Sequence, residues 1–555
     1  MPLVPVATAR LLSGVYIKID GTLASQEIMH SLISVEVDDS LFLPDMFAVH
    51  LRDKGIKWVD ADSFAIGKPV DISAQSGKSE ITLISGEITA IEPRFNPVTG
   101  PTLVLRGYDQ SHRLNRDKKS RSFVQMKDSD IAQKMASEAS LQSKVDSTQQ
   151  VHEHLLQDNQ TDWEFLMGRA RRIGYRLFIK DKVLSFVKAP ANSGTTPTVK
   201  WGFDLQEFSA RMTTALQVSE VVVQGWDPAT QQQIIGKAAT PQDVPQIGET
   251  RQGGQAAQQA FGIAAKRIVV DRPVANQTEA QAMAQSICNE IGRGFIEAEG
   301  VCSGNPAVQA GAMVKVEGVG TRFGGTYRVV HALHRNDESG YKTHFTVGRY
   351  ASTLSDLLMP AERNGTSSHC PMLGVVTNND DPDKLGRVKV KFPTLTNSHE
   401  STWARLVALG AGKDRGLVWI PDVGDEVLVV FEHEDINRPI VIGGLWSQKA
   451  QPADSAKLVA GGKSIAIHID THEKMGLKIM DSSDDTSIKL GDQDNLLALS
   501  KTKRQVNLTS ADKVTVEGMN ITVSAQSNLE IKSSGNIKIE GGGVVEIKGA
   551  MIKLN

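Results

Sequence analysis

From Val506 onward the chain repeats one short pattern: two aliphatic residues separated by a single residue, then a mostly polar interval, then the next pair. The pairs are Val506/Leu508, Val514/Val516, Ile521/Val523, Leu529/Ile531, Ile537/Ile539, Val545/Ile547 and Ile552/Leu554, and they advance by seven or eight residues. A spacing of two is the period of a strand with one buried face, and intervals of Gly, Ser, Asn and charged residues turn easily. Each unit is a very short strand plus a turn. Burying one Val or Ile returns about 1.5–3 kcal/mol, too little for two side chains to offset the entropy of ordering a whole unit. The pairs therefore need neighbours. Coils stacked within one chain would supply them, but left-handed solenoids repeat about every six residues and right-handed ones have longer coils. The step fits three intertwined chains, each giving one face per level, with the paired aliphatics as the core along a shared axis. The residue inside a pair, such as Lys538 or Glu546, is expected to point outward. Looser pairs at Leu477/Ile479, Ile488/Leu490 and Leu497/Leu499 extend the pattern upstream. The constant phase argues against a disordered polar tail.

Texture divides the chain into residues 1–365, where alternating strands mix with a few helices, a compact strand-rich stretch at 369–446, a linker at 447–456, and the repetitive 457–555. In the first region Ile131, Met135 and Ala139 predict a helix over Asp130–Leu141, and Trp163, Leu166 and Ala170 predict one over Asp162–Ile173. A third is expected from Thr278, with Thr278 and Gln281 as a capping box, to about Gly292. Val218–Val223, Met313–Val316 and Tyr327–Leu333 read as strands, with Gly318, Gly320, Gly324 and Gly325 as turn residues. Residues 228–260, rich in Gln, Ala, Gly and Pro, read as a mobile insertion or long loop. In the middle region about six strands are expected, around Gly374–Val376, Arg387–Phe392, Ala404–Val407, Gly416–Ile420, Glu426–Phe431 and Pro439–Leu445, which suits a small closed barrel. The fold class is mainly β with minor α: an α+β first region, a small barrel and a C-terminal triple-stranded β-prism.

The 555 residues carry a formal net charge of -3, which gives no electrostatic case for nucleic acid or an anionic membrane. Three cysteines without a CxxC pair argue against a disulfide framework or a cysteine-zinc site. The first residues lack a basic stretch leading into an apolar run, and no run approaches the roughly 20 apolar residues of a membrane helix, so folding in the cytoplasm is expected.

No constellation points to catalysis, and no cofactor or metal is expected. His152-Glu153-His154 and Glu432-His433-Glu434-Asp435 hold metal-capable side chains, but strand neighbours face opposite ways, so both read as solvated turns. His468, His472 and Glu473 become an ion site only if a threefold axis gathers copies of them. The glycines near 318–325 lie between strands and are not a dinucleotide loop. Trp403, Trp419 and Phe431 fall in apolar strand runs and read as core, not as base-stacking platforms. No nucleophile elbow or HExxH helix occurs.

Several motifs resemble the VgrG-like spike proteins of contractile injection systems, a family that includes phage late-control and tail-spike hub proteins. Thr161-Asp162-Trp163-Glu164-Phe165-Leu166 with Gly174-Tyr175, Gln224-Gly225-Trp226-Asp227-Pro228, and Gly304-Asn305-Pro306 through Phe323 and Tyr327 look like its hub. Gly386-Arg387-Val388-Lys389-Val390, Trp403-Ala404-Arg405, Pro421 to Val427 and Arg438-Pro439 look like its OB-fold barrel. Val516-Glu517-Gly518, Ile539-Glu540-Gly541 and Ile547-Lys548-Gly549 resemble the apolar-x-Gly unit of its needle.

The resemblance implies a homotrimer whose hub, with two tube-like barrels per chain, meets a hexameric inner tube, with an OB collar and a membrane-puncturing needle. Implied partners are the tube protein, baseplate proteins, a PAAR-type tip protein, effector cargo and, transiently, a target membrane; nucleic acid is not among them. The implied setting is cytoplasmic assembly, then a secreted or anchored phage-tail-like particle, with extracellular particles the nearest kin. A lysozyme domain has no room in the short stretch from Trp446 to Lys457, and no toxin domain follows the last pair, so the chain is expected not to be an enzyme. Two other readings stay open: a hydrolase with a concealed site in the first 365 residues, and a receptor-binding tail fibre.

Overall fold

The computed structural model describes residues 14–76, 79–188, 196–348, 370–395, 399–452 and 458–553. The chain divides into two compact units, 1–445 and 446–555. Among the described residues no helix is long and apolar enough to cross a membrane.

The first unit is built on a 14-stranded sheet that serves two apolar cores. One core, with Phe47, Leu51, Ile72, Ile88 and Leu103, belongs to strands between Val15 and Asp109. The other, with Cys302, Val314, Tyr327 and Phe345, belongs to strands between Thr198 and Val347. They join where Gly325–Asp337 pairs antiparallel with Leu32–Ser40, His331 lying opposite Ser40 and Asn336 opposite Val35. Between them in sequence sits a helical insertion with its own core of Phe123, Leu166 and Phe186.

Helix Asp162–Ile173 forms over the span its periodicity predicts. Thr161 Oγ1 accepts the Glu164 N–H at 3.1 Å while Glu164 Oε2 accepts the Thr161 N–H at 2.9 Å, a reciprocal capping box, and left-handed Gly174 ends the helix. The preceding helix is Asp128–Glu138, two residues earlier at its start than its apolar spacing suggests. The third runs Gln277–Arg293, and its cap is Asn276, whose Oδ1 accepts the Glu279 N–H at 3.0 Å, not Thr278.

Residues 228–260 are not the loop that composition suggests. Gln232–Ala238 pairs with Glu220–Asp227 along its whole length, and Gly253–Phe261 is a helix. The glycines here serve close approach: a Cβ on Gly236 would meet the Ala280 carbonyl oxygen at 2.1 Å, and one on Gly254 the Val218 oxygen at 2.1 Å.

In the middle region the strands Met372–Asn378, Lys389–Lys391, Arg405–Leu406, Glu426–Phe431 and Pro439–Gly444 form one sheet. The strand expected at Gly416–Ile420 is absent; Arg415–Gly416 pairs only with Ala411–Gly412 in a hairpin. The core holds Val376, Val390, Val427, Val429 and Phe431, and it also takes Leu156 from the helical insertion. Asn437 Oδ1 accepts the Leu156 N–H at 2.7 Å, fixing the two parts together.

Candidate functional site

In the second unit, Ala466–Asp470, Gly476–Asp481, Thr486–Gly491, Leu496–Ser500 and Gln505–Thr509 form an antiparallel meander. Its turns are fixed locally: Asp492 Oδ1 accepts the N–H groups of Asp494 and Asn495, and Gly491 (φ +134°) sits where a Cβ would meet the Asn495 oxygen at 2.0 Å. The register aligns the aliphatic pairs across all five strands. One row runs Ile467, Ile479, Ile488, Leu499, Val506, and the other Ile469, Leu477, Leu490, Leu497, Leu508. Strand alternation places both rows on one face. Among the described residues eight of the ten stay exposed, from 36% at Leu497 to 68% at Val506, while Leu477 and Ile479 are half-buried.

Past Thr509 no strand pairing forms among the described residues. The pairs nonetheless repeat one geometry. The first member, at Val514, Ile521, Leu529, Ile537, Val545 and Ile552, is 50–55% exposed, and the second, at Val516, Val523, Ile531, Ile539 and Ile547, is 66–69% exposed. Leu554 lies outside the described residues. The middle residue of three pairs forms an ion pair with the residue two further on, as Glu530 with Lys532, Lys538 with Glu540 and Glu546 with Lys548. Gly541 lies against the next pair, where a Cβ would meet Val545 Cγ2 at 3.1 Å, which gives the apolar-x-Gly unit a packing reason.

Ile467 and Ile469 open both rows and were not among the pairs read from the sequence; their spacing of two was the available signal. They flank His468, which alternation puts on the opposite face, its ring nitrogens buried. An axis lined by the aliphatic rows therefore does not gather His468. Among the described residues no cluster of His, Cys, Asp or Glu could hold a metal ion.

In the first unit, His152 is not in a solvated turn. It is buried on strand Val151–Thr161 between Asp128 Oδ2, at 3.1 Å, and Arg169 Nη2, at 2.9 Å. Burial opposes ionisation of Asp128, but Arg169 and His152 outweigh it and hold the carboxyl far below its usual range. Glu432–Asp435 is a tight turn between two strands. Phe431 is core, but Trp419 is 59% exposed and Trp403 lies under the cations of Lys389 and Arg387, 5.4 and 5.9 Å from its ring. Trp419 is not core because the strand expected around it does not form.

A β-rich first unit carrying an OB domain is the build of a VgrG-like spike protein. The chain belongs to the Alg8 N-terminal domain family, which matches residues 15–338, more than half of its length. Residues 372–446 match the Type VI secretion system/phage-baseplate injector OB domain. The chain is similar to the type VI secretion system spike protein VgrG1c of Pseudomonas aeruginosa, 30% identical over 135 residues, 22% of this chain and 18% of that protein. It is also similar to VgrG3 of Vibrio cholerae, 42% identical over 65 residues, 11% of this chain and 6% of that protein. The chain thus spans about a fifth, or less, of the length of these curated relatives. Among solved structures, the lidded Francisella PdpA-VgrG complex aligns over 90% of this chain and 81% of that one, at 10% identity and a TM-score of 0.51. At that identity the likeness is one of fold.

Proposed function

We propose that three copies of this chain assemble into the central spike of a contractile injection machine, with the paired aliphatics from Val506 to Leu554 facing a common axis. One observation supports this reading: among the described residues, eight of the ten side chains in the two aliphatic rows, and the pairs beyond them, are exposed in a single chain. Eight exposed aliphatic side chains on one sheet face cannot stay in water without cost, and a threefold arrangement covers them and also pairs the strand edges. The product is a narrow rod whose levels are coupled, suited to puncturing an envelope. Residues 1–365 then act as the hub, with two tube-like barrels per chain meeting a hexameric inner tube; 369–446 is the collar, 447–456 the linker and 457–555 the needle. Baseplate proteins, a PAAR-type tip protein and effector cargo are the partners this role calls for, within a secreted or anchored phage-tail-like particle. The role is structural and calls for no catalytic group.

Sedimentation of the full chain tests the reading: the expected species is a trimer, converted to single chains by Ile531→Asp with Ile539→Asp. A wild-type chain that sediments alone, with a protease-sensitive tail, overturns it. Deleting residues 500–555 should abolish envelope penetration, whereas a receptor-binding fibre would lose only adhesion.

A further inference from the structure

Two segments, Gln224-Gly225-Trp226-Asp227 and Glu432-His433-Glu434-Asp435, lie about 200 residues apart and converge on one cleft of the first unit. Strand Glu220–Asp227 has a full-length neighbour on one side, but on the other Lys266–Val269 pairs with it only as far as Val223. Beyond Val223 that pairing stops, and a cleft of 340 Å³ lies there, lined on this side by Val270, Pro273 and Val274. Its walls include Gln224, Trp226, Gln233, Glu432, His433 and Arg438. This volume is at the small end of ligand clefts, about 300–1,000 Å³.

The cleft has the marks of a built site. Trp226 and Gln233 are directly opposite across the strand pair, and Gln224 shares their face, so an indole and two amides present together. The indole is half exposed although it belongs to a strand. The Asp435 N–H donates to the Glu432 carbonyl, closing a turn whose central residues, His433 (φ +50°) and Glu434 (φ +63°), are both left-handed. Asn and Gly relax such a turn; His and Glu there are strained, and strain of this kind collects at ligand sites.

The chemistry of the walls narrows the occupant. Arg438 Nη1 pairs with Glu432 Oε2 at 3.1 Å and its Nη2 donates to the Val274 carbonyl, so the guanidinium is already neutralised and an anion gains little. A wholly apolar ligand would strip water from two amides and an ion pair without replacing those hydrogen bonds. An added peptide strand gains little either: only the four residues Gln224–Asp227 lie beyond the last pairing with Lys266–Val269, and Val270, Pro273 and Val274 already line the cleft there. What remains is a compact neutral ligand with an apolar face and a hydrogen-bonding rim. We propose that the cleft binds a neutral sugar unit of an oligosaccharide, stacked on Trp226 and held at its hydroxyls by Gln224, Gln233 and the Arg438–Glu432 pair. The spike would then carry its own glycan contact, independent of how the tail assembles.

Calorimetry on the full chain with chitotetraose, cellotetraose, maltotetraose and mannotetraose tests this, with hyaluronan tetrasaccharide as the acidic comparison. At least one neutral sugar should bind at millimolar concentration or tighter. Trp226→Ala and, separately, Gln233→Ala should each weaken it about tenfold or more, as truncation of a central anchor does. Phe203→Ala, at an exposed aromatic outside the cleft, should leave binding and melting unchanged. If Trp226→Ala lowers the melting temperature, Trp226→Phe takes its place and should weaken binding with the fold intact. The proposal fails if none of the four binds, if binding survives both cleft substitutions, or if the acidic sugar binds more tightly than every neutral one.

Discussion

Gln281 holds both backbone groups of Lys237: its Oε1 accepts the Lys237 N–H at 3.2 Å and its Nε2 donates to the Lys237 carbonyl at 2.7 Å. Gln277 does the same for Ile235. Four residues of helix rise about 6 Å and two residues of strand about 6.8 Å, so side chains at i and i+4 can meet strand positions at i and i+2. Helix Gln277–Arg293 thus stands in for a missing strand, and the edge of Gln232–Ala238 is closed by amide side chains. Gly236, between the two pairings, lets the helix come this near.

Removing that mimicry should be measurable. Gln281→Ala is expected to cost about 1–2 kcal/mol, two exposed hydrogen bonds at the modest net value of each, and to leave an open edge prone to pairing with other chains. Thermal melting and light scattering check both. Gly236→Ala should be worse, because its Cβ meets backbone that cannot give way.

Asp128 and Arg169 form a buried ion pair at 2.7 Å, and the carboxylate is almost wholly inside. Asp128→Ala should cost about 3–5 kcal/mol, since it strands a buried guanidinium and His152. The first unfolding transition of the first unit in urea is the measurement.

Burial raises the carboxyls of Asp39, Asp45 and Asp109, and that of Asp109 reaches about 7 despite bonds from Ser111. A carboxyl with a raised folded-state pKa keeps its proton where the unfolded chain, near 4, has lost it, so its contribution to stability falls as pH rises towards 7. His331, raised by its bond to Asp38, pulls the same way. His334, lowered by burial to about 3, pulls oppositely below pH 6.5. Asp109→Asn isolates one contribution: its melting temperature relative to wild type should climb from pH 5 to pH 8. A constant difference across that range would contradict it.

Leu156 is 5% exposed in the barrel's core although the helical insertion carries it. Leu156→Ala should cost about 2–5 kcal/mol. Hydrogen exchange should speed up in both parts together, around strands Glu426–Phe431 and Val151–Thr161.

Parts of this protein were plain in the sequence. Thr161 and Glu164 sit three apart before an apolar stripe, and the helix follows; Glu426–Phe431 alternates, and the strand follows. Others were not. The Gln- and Gly-rich 228–260 looked unable to order itself, because the groups that order it, Gln277, Gln281 and the Ala280 backbone, lie on a helix some forty residues later. The indole of Trp419 looks like core because its neighbours are apolar, but among the described residues no strand forms at 417–420 to bury it.

What the sequence alone determined is the phase of the tail: two-residue spacing puts paired aliphatics on one side of a strand whatever surrounds them, because alternation is a property of the backbone. The structure decided which groups those local patterns meet. Leu156 entering the barrel's core, glutamines closing a strand edge, and Trp226 meeting His433 at one cleft all depend on contacts between segments far apart in the chain, and no local period encodes such contacts.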